Sequence, residues 1–190
     1  MTPTPLFQAH HLGIMRGERI LFRDVSISIS PGQALILRGE NGSGKTTLLK
    51  ILCGFIPPDT GEVRRSSFHW VGHRTGLKLY ETPRDHLQLW AKAWGAKGDI
   101  DAILSAFSLT QASDVPARYL SAGQARRTAL ARTQLNLRKL WLLDEPFSQL
   151  DVSGIALLTE MIKAHRAGGG GIIAAVHGAH PLSNTDEITL

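Results

Sequence analysis

Gly39-Glu-Asn-Gly-Ser-Gly-Lys-Thr46 decides the fold of this chain. The stretch fits G-x-x-x-x-G-K-[ST], a phosphate-binding turn, if a strand precedes it and a helix follows. Ala34-Leu-Ile-Leu37 ahead of it reads as a buried strand. Thr47-Leu-Leu-Lys-Ile-Leu-Cys53 behind it carries apolar residues at helical spacing. Gly42 and Gly44 let the backbone turn where a Cβ would clash, so that successive N–H groups face phosphate oxygens. A helix starting near Lys45 adds the positive end of its dipole. Lys45 then supplies a point charge between the β- and γ-phosphates, and the Thr46 hydroxyl is placed for Mg²⁺. Glu40, Asn41, Ser43 and Thr47 complete the stretch that would surround the nucleotide. A glycine-rich turn that binds nothing is the bland alternative, and the correct flanks argue against it.

Composition sets the outer limits. The chain has 190 residues, enough for one domain with a sizeable core. No apolar run approaches the roughly 18 residues that a membrane span needs. The first residues lack the basic region and apolar core of a secretory signal. Cys53 is the one cysteine, which excludes an internal disulfide and fits a reducing compartment. Its place in the helix after the loop makes it a small core hydrophobe. The net charge is +5, but the basic residues are scattered, so solvated faces explain them better than a nucleic-acid surface.

The order of elements predicts an α/β fold. Residues 5–12 and 20–29 read as strands of an N-terminal antiparallel part. In the second, Val25-Ser-Ile-Ser-Ile-Ser30 alternates strictly. Short strands are expected at 62–65 and 68–72. From about 78 to 135 the pattern turns helical, an insert within the α/β frame. Thr82 caps its first helix with Pro83 at the first position. Trp90 and Trp94 share a face of that helix and are expected in the insert core. A second helix is expected over about 99–107. Ser121 caps a third, reaching about 135, with Gln124 closing a capping box. Leu140–Leu143 is a buried strand ending in Asp144-Glu145. Residues 153–166 are helical, 168–171 a flexible link, and 172–176 a strand ending at His177. A last strand spans 186–190. Alternating strands and helices predict a mostly parallel sheet, with ligands at the carboxyl ends of its strands. The whole chain reads as one domain with the helical part inserted.

A carboxylate at a strand end beside a phosphate site can hold Mg²⁺, the role assigned to Asp144 with Thr46. The adjacent Glu145 can polarise water for in-line attack. Leu120-Ser-Ala-Gly-Gln124 then makes an identification. With the phosphate loop and the Asp-Glu pair, it resembles the ATP-binding cassette (ABC) ATPases over nearly the whole chain. That resemblance implies a P-loop ABC fold and places Ser121, Ala122, Gly123 and Gln124 in the signature. Ala122 is a mild departure from the usual LSGGQ. The signature acts in trans on the γ-phosphate held by a second copy, so a cassette homodimer is implied. Asp151 matches the loop that communicates across the dimer, and His177 the switch histidine on the γ-phosphate. Two departures stand out. Arg16 falls where the family stacks an aromatic on adenine; a guanidinium also stacks on a base. Arg74 falls where the family has a glutamine that coordinates Mg²⁺. A guanidinium only donates, which leaves phosphate contact for Arg74 and a share of the role for His73.

Within the family, Trp70-Val-Gly-His-Arg-Thr-Gly-Leu-Lys78, Ser121–Arg132 and Trp141–Phe147 are similar to the cytochrome c maturation group, long called haem exporter subunits. This implies an ATPase with Mg²⁺ and ATP, a permease-like integral membrane partner, and a peripheral place on the cytoplasmic face of a bacterial inner membrane, with a mitochondrial one as the other setting. Two other placements remain: a small export cassette for lipid, drug or polysaccharide, or a soluble ABC protein acting on ribosomes. The stretch between Arg74 and Leu120 is too short for the long coiled coil of DNA-repair members, and no nucleic-acid partner is expected.

Overall fold

The computed structural model describes residues 4–190. The N-terminal strands are β1 (Phe7–Arg16) and β2 (Arg19–Ile29), followed by β3 (Ala34–Arg38), α1 (Lys45–Cys53), β4 (Thr60–Arg65) and β5 (Phe68–Val71). Then come α2 (Pro83–Trp94), α3 (Ile100–Ala106), α4 (Ala122–Ala131), β6 (Leu140–Asp144), α5 (Val152–Ala167), β7 (Gly171–Ala175) and β8 (Asp186–Thr189). The chain groups into two compact units. One comprises the residues up to Trp70, Arg138–Pro146 and Ile162–Leu190; the other comprises Val71–Leu137 and Phe147–Met161.

The first unit contains two sheets. In β2 the alternation expected from sequence is realised: Ile27 and Ile29 are buried, while Ser26 and Ser28 face water. β1 pairs antiparallel with both β2 and β4. It runs four residues beyond the expected end at 12, because a bulge absorbs the break in alternation. His11 takes φ 52 there, and the register slips between Ala9 and Leu12. The second sheet has the order β5-β6-β7-β3-β8. The pairs β6/β7, β7/β3 and β3/β8 are parallel. Every residue of β6 and β7 is buried, the signature of strands covered on both faces. Leu48, Leu49 and Leu52 of α1 join Leu35, Leu37, Leu142 and Ile173 in the core. Each such side chain contributes roughly 1.5–3 kcal/mol through burial. Gly54, at φ 77, ends α1, with its N–H on the Ile51 carbonyl.

The second unit is helical. Thr82 caps α2, as expected, and Asp85 completes a capping box with it. Gly95 at φ 62 ends the helix. Asp99 caps α3 through the N–H groups of Asp101 and Ala102. Trp90 and Trp94 are half-buried with ring centroids 4.8 Å apart, and the Arg132 guanidinium lies 5.1 Å from the Trp90 centroid. They line the edge of this unit rather than its centre, which Leu87 and Leu104 occupy.

Two further boundaries differ from expectation. α4 stops at Ala131 and tightens into a 3-10 turn over Arg132–Gln134, a common way for a last turn to satisfy its carbonyls. The glycines after α5 form no loose link. Gly168, Gly169 and Gly170 donate to the carbonyls of Ala164, Arg166 and His165, and Gly169 at φ 79 lets the backbone close that cap.

Candidate functional site

The phosphate loop occupies the turn between β3 and α1. Gly39, Gly42 and Gly44 take φ 141, 82 and 111, a region that side chains other than glycine avoid. A Cβ on Gly39 would stand 2.5 Å from Ser43 Oγ, and one on Gly44 3.3 Å from the Phe22 ring. Gly44 is also the N-cap of α1 and brings no side-chain cap, so an anion can meet the N–H groups of the first turn. Lys45 is buried and folds back over the loop, donating from Nζ to the Gly39 carbonyl at 2.7 Å and the Glu40 carbonyl at 3.0 Å. Ser43 Oγ is buried without a hydrogen-bond partner, a group that a phosphate oxygen would satisfy. Glu40 and Asn41 are exposed, and Thr47 is half-buried.

Asp144, at the end of β6, is 1% exposed. The Thr46 hydroxyl donates to it at 3.0 and 3.2 Å. One hydroxyl and one carboxylate, with no cluster of three or more His, Cys, Asp or Glu among the described residues, suit a hard cation that takes its other oxygens from phosphate and water. The pair predicted from sequence is therefore brought together.

Glu145 sits at φ 51, an uncommon backbone state for a side chain of its size. Its N–H donates to the Ala175 carbonyl at 2.9 Å, and its Oε2 accepts from the His177 N–H at 3.2 Å. Val176 N–H donates to the Leu37 carbonyl, extending the β7/β3 pairing to the edge of the loop. The carboxyl ends of β6, β7 and β3, neighbours in the sheet, thus carry Asp144-Glu145, His177 and the phosphate loop. The His177 side chain is exposed. Arg16 is exposed at the end of β1, opposite Arg19. The same hairpin sends Leu21 and Phe22 against Gly44.

A further residue at this end of the sheet escaped the sequence reading. Arg38, the last residue of β3, meets Glu187 of β8 with Nε at 2.6 Å and Nη2 at 2.9 Å. Its Nη1 donates to the Gly178 carbonyl at 2.7 Å. The pairing holds the Glu187 carboxyl below its ordinary range.

The second unit carries the remaining predicted positions. Ser121 Oγ accepts from the Gln124 N–H at 3.1 Å, and Gln124 Oε1 accepts from the Ser121 N–H at 2.9 Å; the capping box is as expected. Ala122 opens the helix and is exposed. A Cβ on Gly123 would stand 3.1 Å from the Gln149 carbonyl. Asp151 accepts the Gly154 N–H at 2.8 Å, and that bond draws its carboxyl below the ordinary range. His73 and Arg74 are exposed in the loop after β5. Just before them the Gly72 carbonyl accepts Arg126 Nη1 at 2.7 Å. Arg126 is fully buried, another arginine that a reading of charge as solvated surface could not place.

Comparison with known proteins agrees with these motifs. The family profile described as ABC transporter matches residues 22–148. The chain is 52% identical over 191 residues to the cytochrome c biogenesis ATP-binding export protein CcmA of Hyphomonas neptunium, covering 100% of this chain and 99% of that one. The protein of that name from Maricaulis maris is 43% identical, with 87% and 83% covered. Among solved structures, an ATP-binding subunit of an ABC transporter superposes with TM-score 0.81 at 25% identity, covering 90% of this chain and 79% of that one. A putative ABC transporter ATP-binding protein from Pyrococcus furiosus gives 0.82 at 20% identity, with 97% and 96% covered.

Proposed function

This chain belongs to the ABC transporter family and is an ATPase, and from that membership we propose that it drives a membrane complex of c-type cytochrome biogenesis, in haem export or the release of haem from its chaperone. The observation that carries the reading is the 52% identity to a cytochrome c biogenesis export protein across the full chain, with phosphate loop, signature and Asp-Glu pair in order. Its partner is a permease-like integral subunit, and no helix among the described residues is long and apolar enough to cross a membrane itself. The chain works at the cytoplasmic face of the bacterial inner membrane as a homodimer.

In the mechanism we infer, the loop N–H groups and Lys45 grip the triphosphate of ATP. Lys45 exchanges its carbonyl partners for phosphate oxygens. Thr46 and Asp144 would hold Mg²⁺, which offsets charge on the β- and γ-phosphates. Glu145 accepts a proton from the attacking water as its oxygen bonds to the γ-phosphorus and the bond to the β-phosphate oxygen breaks. His177 steadies the γ-phosphate, and Ser121, with the N–H groups of its helix, closes on that phosphate from the second copy. Asp151 carries the closure between copies. Arg16 stacks on adenine. Arg74, unable to ligate a cation, contacts phosphate with His73 beside it.

The test is genetic and biochemical. Deleting the gene should abolish holocytochrome c, and Lys45→Ala should fail to restore it. The purified complex should contain one multi-span protein and hydrolyse ATP. Normal holocytochrome c in the deletion strain, with a lipid, drug or polysaccharide export defect instead, would replace this reading.

A further inference from the structure

The geometry points to Arg38 as a positioning residue for His177. It lies immediately before Gly39, at the point where β3 hands the chain to the phosphate loop. Its guanidinium uses two nitrogens on Glu187 and one on the carbonyl of Gly178. The fork suits such a task, since a planar guanidinium locked by a bidentate carboxylate has its remaining N–H direction fixed. Gly178 directly follows His177 and takes φ 74, so the backbone reverses just where Arg38 grips it.

The His177 backbone is thereby held from both sides. Upstream, its own N–H is on Glu145 Oε2. Downstream, the Gly178 carbonyl is on Arg38. Beyond that, His180 Nε2 lies 3.5 Å from Glu187 Oε1, and the Leu182 N–H donates to His180 Nδ1 at 3.3 Å. The loop after β7 is therefore strapped to β3 and β8 at successive points, while the His177 side chain stays exposed. An exposed side chain cannot be aimed by packing against it, so its direction is set by the backbone that carries it. A shift of about 1 Å in a group that meets the reacting phosphate is enough to slow a reaction strongly. Since Arg38 also leads into the loop that binds the phosphates, a single side chain ties the two sides of the γ-phosphate position together.

The inference rests on the role proposed for His177, and the experiment separates the two. Steady-state ATP hydrolysis of the full-length chain in its purified complex is measured for Arg38→Met, His177→Ala and the double variant. Melting temperature and hydrogen exchange of residues 176–182 are followed in the same proteins. Arg38→Met should lower kcat about tenfold while KM for ATP stays within about twofold, because residues acting as one unit lose their function together. It should also speed amide exchange at 176–182. In the His177→Ala background the same change should alter the rate by less than about twofold. A bystander ion pair between β3 and β8 would shift the melting temperature without this dependence. If Arg38→Met slows hydrolysis equally in both backgrounds, or leaves amide exchange at 176–182 unchanged, Arg38 does not position His177. If His177→Ala hydrolyses ATP at the parent rate, the role of His177 itself falls first.

Discussion

Replacing Glu145 with glutamine isolates the proton-accepting role proposed for it from everything else the side chain does. The backbone at this position, φ 51, is common to parent and variant, so its strain of roughly 1–2 kcal/mol cancels. A glutamine oxygen can accept the His177 N–H that Glu145 Oε2 now accepts at 3.2 Å, so the turn keeps its shape. What would be lost is the proposed general base, worth about 10²–10⁴ in rate, or roughly 2.7–5.4 kcal/mol of barrier. Glu145→Ala removes the acceptor as well. A hydrogen bond to a half-buried carboxylate contributes on the order of 1 kcal/mol, which lowers the melting temperature by about 2–4 °C in a domain of this size. The expected pattern is therefore asymmetric. Gln loses turnover but keeps nucleotide affinity and melting temperature, whereas Ala loses turnover and some stability. Phosphate release, fluorescent-nucleotide binding and thermal unfolding read the three quantities separately. Turnover by Glu145→Gln at the parent rate would refute the assignment. Equal destabilisation by Gln and Ala would refute the argument that the N–H acceptor, rather than the charge, organises the turn.

Other consequences follow from local geometry. Ser121→Ala removes the cap of α4 and should reduce stability by about 1 kcal/mol, with a further loss of hydrolysis; an unchanged melting temperature would mean the cap contributes nothing. His86 is buried against Glu81 and near Arg132, and burial lowers its pKa from 6.5; His165 behaves alike. The folded state thus binds fewer protons than the unfolded one just below pH 6.5, so stability is full above that pH and falls as pH drops towards the folded pKa. A melting temperature that is flat from pH 7.5 to 5.5 would contradict this, and His86→Gln should shallow the slope. Cys53 is buried, and desolvation pushes its thiol up to about 12. A thiol reagent at pH 8 should therefore label the native chain only as fast as it unfolds; rapid labelling without denaturant would place Cys53 at the surface.

Where the sequence could be read, the decisive interactions lie within a few residues of each other. The phosphate loop needs glycines at φ values that few other residues adopt, followed by apolar residues at helical spacing, and both are visible in Gly39–Cys53. The Ser121 box closes over four residues. The buried strands β6 and β7 have short apolar runs that end in Asp144-Glu145 and just before His177, the residues to which the chemistry is assigned. By contrast, Thr82 and Pro83 mark the start of α2 in the sequence, while the box that Asp85 closes on Thr82 is seen only in the fold. The sequence carries α4 to about 135, whereas α4 ends at Ala131 and Arg132–Gln134 is a 3-10 turn, because only the packing of the turn decides between α and 3-10 geometry.

The arginines show where local reading must fail. Counted along the chain they are scattered positive charge, which argues for a solvated surface. In the fold, Arg126 is fully buried on the Gly72 carbonyl, and Arg132 lies over Trp90 with its pKa lowered to about 10 by desolvation. Arg38 finds its carboxylate 149 positions away. None of these partners repeats at a helical or strand period, so no pattern in the sequence can announce them. Burying or fixing a guanidinium is costly unless its donors are used. In each of these cases the donors or the ring face meet a segment next to a predicted site: Gly72 before His73 and Arg74, Trp90 in the helical unit that bears Ser121, Gly178 after His177. Motif residues name the proposed chemistry, while the arginines, two of them inside the Ser121–Arg132 stretch, make pairings that no motif announces: Arg38 and Arg126 hold backbone carbonyls beside those residues, and Arg132 covers a ring. The next substitutions to make are therefore at the three arginines.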